Sequence, residues 1–159
     1  MQDLKENELR DFTADLQAYL LNETRSKIPA IFHEEAITGF AAKGATVFPQ
    51  QLGVACTWNP SLVREKNEMV REAMRSCGST MALSPMVDVI RTQHFNRVEE
   101  SYGEDAYLSA AFAVDFVKGL QGDDLTTGVA ACSISSEYSL IEHMSKLAFR
   151  FSAQLPISE

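Results

Sequence analysis

Apolar residues early in the chain recur at Leu9, Phe12, Leu16, Tyr19 and Leu20, with charged and polar residues between them. That spacing follows one helical face and predicts an amphipathic helix over residues 4–23. Residues 28–32, Ile-Pro-Ala-Ile-Phe, form a short apolar run suited to a buried strand, with Pro29 near its start where a missing N–H donor is tolerated. A polar, glycine-bearing stretch follows over 33–39, then a loop to about Gln51. Residues 52–56 read as a short strand or extended segment. Asn59-Pro60 marks a helix start, with Asn59 able to cap free amides and Pro60 at the first helical position. Val63, Val70, Met74 and Cys77 then share one face, and Gly78 supplies a left-handed stop. Residues 80–83 and 86–90 make a strand-like region broken by Ser84-Pro85. A third helix is expected over 105–118, apolar almost all round and therefore sandwiched, with Gly119 and Gly122 ending it. Residues 128–132 are a third strand candidate. Beyond Ser133 the periodicity weakens, with a short helix over 140–149.

Helix and strand alternate without hairpin signals, which argues for an α/β fold on a parallel sheet. No GxGxxG or GxxxxGK[ST] loop is present to cradle a phosphate. At 159 residues and 45% hydrophobic, the chain is long enough for one domain with a real core. Its net charge of -8, with both signs mixed along the sequence, argues against nucleic acid or an anionic membrane surface as a partner. No apolar run approaches the roughly 20 residues that span a bilayer, and the acidic N-terminus is no secretion signal. A cytoplasmic, reducing location is the expectation. Cys56, Cys77 and Cys132 stand far apart, and His33, His94 and His143 show no HxxxH spacing, so buried thiols are expected and no metal or other cofactor is.

Three polar clusters directly follow strand candidates: His33-Glu34-Glu35, Asp88 to Arg91, and Arg97 to Asp105. Loops after the strands of a parallel sheet or barrel gather at one face. There, carboxylates accept hydrogen bonds from paired hydroxyls and arginine donates in a fixed fork, which suits a polyhydroxylated ligand. Ion-paired loop residues would have the same composition, so both readings stand at this point.

Residues 24–39, including Ile-Pro-Ala-Ile-Phe-His-Glu-Glu-Ala-Ile-Thr-Gly, resemble the segment of glycoside hydrolase family 3 that forms an early barrel strand and its sugar-contacting loop. Ala45-Thr-Val-Phe-Pro-Gln50 with Trp58-Asn-Pro resembles that family's next block. Asp88-Val-Ile-Arg91 and Arg97-Val-Glu-Glu-Ser-Tyr-Gly-Glu-Asp105 resemble its third. Val117-Lys-Gly-Leu-Gln-Gly-Asp123 and Gly128-Val-Ala-Ala131 complete a match over roughly residues 10–132. The resemblance implies a partial (β/α)8 TIM-barrel-like domain over residues 1–132, followed by a divergent tail over 133–159. It makes Glu35 the acidic residue that grips sugar hydroxyls and Arg97 the arginine that reaches the same sugar. Asp88, Arg91, Glu99 and Glu100 would brace them. The alternative role for Arg97 is an ion pair with Glu99 or Glu100, and the two roles can coexist. A glutamate at position 35 resembles the xylosidase-like branch.

Two departures stand out. Arg91-Thr-Gln-His-Phe95 replaces the family's Arg-Asp-x-Arg-Trp run, and Ile134-Ser135 replaces a sugar-binding Lys-His pair. Retaining glycoside hydrolysis needs two carboxyl groups about 5–5.5 Å apart, and the family's nucleophile and acid/base match no residue here, so no catalytic residue is assigned. The expectation is a fragment of a β-glycosidase acting on terminal β-linked glucose or xylose, inactive alone, with a small carbohydrate as its ligand. The alternative is a non-catalytic sugar-binding or protein-docking module. Because an unclosed barrel leaves open sheet edges, the isolated chain is expected to be marginal or to self-associate.

Overall fold

The computed structural model describes residues 5–92 and 94–134. The helix expected over 140–149, His143, Ser135 and all of the tail beyond Ile134 lie outside the described residues. Helix α1 (Glu6–Glu23) leads into strand β1 (His33–Glu34). Two helices follow, α2 (Gln51–Ala55) and α3 (Pro60–Ser76), before β2 (Met81–Ala82). Helix α4 (Ala106–Gln121) then precedes β3 (Ala130–Ala131). The sheet is parallel in the order β1-β2-β3, with His33 opposite Met81 and Met81 opposite Ala130. Its short ladders are lengthened by Thr80 and Met81 N–H donating to the Phe32 carbonyl, and by Ile134 N–H donating to Pro85.

The α3–α4 layer is where local sequence signals and packing agree. The Asn59 side chain accepts from Ser61 N–H at 3.2 Å, and Asp105 accepts from Leu108 N–H at 2.6 Å. These caps satisfy amides that the first helical turn leaves without partners. Val63, Val70 and Met74 of α3 meet Phe112, Ala113, Phe116 and Leu120 of α4 in one buried core with Ala82 and Val129 of the strand region.

Several expectations are corrected. Residues 51–55 are helical rather than extended: Val54 N–H bonds the Gln50 carbonyl, and Gln51 and Ala55 bury one face at helical spacing. Gly119 lies inside α4 instead of ending it, because a Cβ there would stand 2.6 Å from the Arg64 carbonyl oxygen; Gly122, at φ 63°, is the cap. The strand near residue 30 begins at His33, leaving Ile28 and Ile31 66% and 68% exposed. On α1 the buried stripe runs through Leu9 and Thr13, while Phe12 and Tyr19 are exposed. At 3.6 residues per turn, Phe12 sits about 60° round the helix from Leu9, whereas Thr13 sits about 40° the other way. The Thr13 hydroxyl donates to the Cys77 carbonyl at 2.8 Å, which fixes that face against the end of α3. α4 is not covered all round either, since Tyr107 and Val114 face solvent. Of the three thiols only Cys77 is buried; Cys56 and Cys132 are exposed.

Candidate functional site

Three chain segments, one directly after β1 and two in the stretch between β2 and α4, come together through hydrogen bonds and charge. The first carries Glu35 directly after β1. Its backbone is tied at successive positions: Ala36 N–H donates to the Ser84 hydroxyl at 3.2 Å, and the Lys66 ammonium donates to the Ile37 carbonyl at 2.8 Å. Phe48 N–H donates to the Thr38 carbonyl at 2.8 Å. Gly39 adopts φ 104° with the Thr46 carbonyl oxygen so close that a Cβ would overlap it, so only glycine fits that turn. Ala36 and Ile37 are buried by this arrangement, yet the Glu35 side chain is exposed and accepts no hydrogen bond from a described residue.

The second segment runs from Pro85 to Asp88 alongside the residues after β3, and Asp88 ends up buried, 6% exposed. The third is the 3-10 turn Val98–Glu100, opened by Arg97. Arg97 grips Glu100 bidentately, Nε to Oε1 at 2.9 Å and Nη2 to Oε2 at 2.6 Å. This is the fork geometry that makes arginine–carboxylate pairs strong and directional. Gln51, buried on α2, joins the second and third segments by donating from Nε2 to the carbonyls of Met86, at 3.1 Å, and Glu100.

Electrostatics tie these segments together. The Arg97 guanidinium is held above its ordinary pKa, first by its hydrogen bond to Glu100, with further support from the charges of Glu100, Glu35 and Asp88. The Glu35 carboxyl is raised above its usual 4.5, first by partial desolvation and then by the Glu100 charge; Arg97 pulls the other way. Glu35, Asp88, Arg97 and Glu100 therefore sense one another, although they come from three loops. Arg91 and Glu99 do not join them: both side chains are exposed, and neither forms a hydrogen bond or ion pair with another described residue. The ion pair anticipated for Arg97 is made with Glu100 rather than Glu99. An open depression of about 290 Å³ adjoins this cluster, lined by Ile31, Phe32, His33, Glu34, Glu35 and Leu83. It lies to the β1 side of Glu35, and Arg97 does not line it.

Chemically, the cluster offers one hydrogen-bond-accepting carboxylate and a guanidinium whose Nη1 makes no hydrogen bond to a described residue, groups able to accept from and donate to hydroxyls. Among the described residues no three His, Cys, Asp or Glu side chains are placed to hold a metal ion. Sequence reasoning missed Gln51, Lys66 and Ser84. Each is a polar residue buried by contacts from distant segments, and the one local hint was Lys66 interrupting the apolar face of α3. No described helix is long and apolar enough to cross a membrane.

Comparison with known proteins gives this arrangement a context. The profile of the glycosyl hydrolase family 3 N-terminal domain matches residues 2–133. A putative β-xylosidase of Formosa agariphila is 35% identical over 130 residues, spanning 80% of this chain and 17% of the relative. Among solved structures, a β-glucosidase of Erythrobacter marinus superposes with a TM-score of 0.75 at 32% identity, covering 84% of this chain and 18% of that one. The β-glucosidase of Listeria innocua in complex with glucose gives 0.66 at 33% identity, covering 75% and 16%. The chain thus spans about a sixth of the length of the relatives it matches.

Proposed function

The chain belongs to glycosyl hydrolase family 3, and from that premise we propose that it supplies the sugar-gripping part of a β-glycosidase acting on terminal β-linked xylose or glucose. What supports this reading is the Arg97–Glu100 fork, tied through Gln51 to the segment that leads to buried Asp88 and close enough to Glu35 for their charges to act on each other. Glu35 accepts hydrogen bonds from two sugar hydroxyls. Arg97 donates to the same sugar, its orientation fixed by Glu100 and its charge balanced by Asp88, while Arg91 and Glu99 stand at the rim. The longer reach of a glutamate at position 35 occupies space that a hexose hydroxymethyl group would need, which favours xylose. Bond cleavage requires a pair of carboxyl groups about 5–5.5 Å apart, and we assign that role to none of these residues.

Calorimetric titration of the 159-residue chain with xylose and glucose tests this reading, alongside an aryl β-xyloside turnover assay. Saturable xylose binding, weaker for glucose and lost in Arg97→Ala, is expected without turnover. Flat titrations would remove the sugar-gripping role, and turnover above that of a Glu35→Ala, Arg97→Ala control would contradict the catalytic assignment. We also propose that the chain self-associates through the free edge of β1, which pairs on one side only among the described strands. A monomer at all concentrations in sedimentation would rule that out.

A further inference from the structure

Glu35 is exposed, yet the backbone that follows it is tied to the fold. The two residues that follow Glu35 are held by two buried polar side chains that come from different parts of the fold. Ser84, fully buried beyond β2, accepts from Ala36 N–H at 3.2 Å, and Lys66 of α3, 6% exposed, donates to the Ile37 carbonyl at 2.8 Å. Placing an ammonium there is costly, because a buried cation needs compensation for lost hydration. Among the described residues Lys66 has no carboxylate partner; its compensation is the Ile37 carbonyl and the face of the Phe116 ring, 5.0 Å away. The neighbouring α3 positions Val63 and Val70 are apolar on the same buried face, so an aliphatic residue at 66 would complete the stripe. What the ammonium adds, and an aliphatic residue would not, is a donor fixed to the segment carrying Glu35.

We propose that Lys66 is a positioning residue for sugar recognition: with Ser84 it clamps the segment 36–37 and thereby holds the Glu35 carboxylate in place beside Arg97. The inference rests on Glu35 being a sugar contact, as proposed above. Preorganisation of this kind raises affinity by removing the ordering cost from the binding step. The clamp acts only through the backbone, since Lys66 itself is buried away from the cluster.

Two readouts on the 159-residue chain separate this inference from the reading beneath it. Amide hydrogen exchange over residues 36–41 reports the clamp directly, and xylose titration reports its consequence. In Lys66→Met, exchange in that segment is expected to accelerate about tenfold, the equivalent of about 1.4 kcal/mol. Xylose affinity should fall by a similar factor, and Lys66→Arg, which keeps a cationic donor, should restore part of both. Ser84→Ala should move the same two readouts in the same direction, and it serves if Lys66→Met fails to fold. Unchanged exchange in both variants would overturn the clamp. Accelerated exchange with unchanged affinity, where Glu35→Gln still weakens binding, would overturn the positioning role. If Glu35→Gln leaves affinity unchanged, the sugar contact itself is wrong and the inference falls with it, whatever the exchange data show.

Discussion

The two flanks of the sheet differ sharply in how far they are finished. On the side of α3 and α4, both helices carry side-chain caps and bury Phe112, Phe116, Met74 and Val70 completely. On the side of β1, Ile28 and Ile31 lie open, and Phe12 and Tyr19 project from α1 into solvent. Each flank carries large apolar side chains; among the described residues, those of α3 and α4 meet packing partners, whereas Phe12, Tyr19, Ile28 and Ile31 stay exposed. Hydrophobic burial stabilises only where a partner surface excludes water, so these two flanks should respond very differently to the same kind of substitution.

The largest contrast is expected from truncating one large side chain on each flank. Phe116→Ala removes a ring from the closed core and should cost about 3–5 kcal/mol in chemical denaturation. Ile31→Ala should change stability by no more than about 0.5 kcal/mol. Equal losses would mean that the β1 flank is covered.

A second contrast lies in pH. Burial of Lys66 lowers its pKa from 10.5 to about 8. Below pH 8 both folded and unfolded chains hold the proton, and the desolvation cost is fully present. Between about 8 and 10.5 the unfolded chain binds more protons, so stability rises with pH there, by an amount of order 3 kcal/mol. Denaturation of the parent minus Lys66→Met across that window should show the rise. A flat difference would place the ammonium in water.

Smaller effects are expected at the helix crossing. Gly119→Ala pushes a methyl to within 2.6 Å of the Arg64 carbonyl oxygen and 2.7 Å of Asn67 Cβ, so a loss of about 1–3 kcal/mol is expected. Gly53→Ala, whose Cβ would meet only Pro49 at 3.8 Å, should be neutral or slightly stabilising. Matching losses at the two positions would show that helix geometry rather than the α3–α4 contact governs them.

The same division decided what was legible in the sequence. Where the code is local, the reading held: Asn59-Pro60 and Asp105 begin helices, and the apolar face of α3 is the buried one. The parallel order of the strands followed from their alternation with helices, and the structure shows it. Where burial depends on distant partners, the pattern misled. Residues 52–56 have strand-like composition, yet Gln51 and Ala55 turn inward as a helix because Gln51 reaches the carbonyls of Met86 and Glu100. Ile28 and Ile31 look like core residues and meet no covering layer among the described residues. Glu35, Asp88, Arg97 and Glu100 were singled out through motifs, but the backbone ties that Gln51, Lys66 and Ser84 make to the segments around them were not legible, since a lone buried polar residue leaves no periodic trace.

The proposed function requires Glu35 and Arg97, brought from separate loops, to act on one sugar. A double-mutant cycle on xylose affinity, with Glu35→Gln, Arg97→Lys and the pair, measures whether they do. If both contact the same bound sugar, the two losses should be coupled by about 0.5–3 kcal/mol. Losses that add to within about 0.3–0.5 kcal/mol, or a single variant with undiminished affinity, would contradict a shared site.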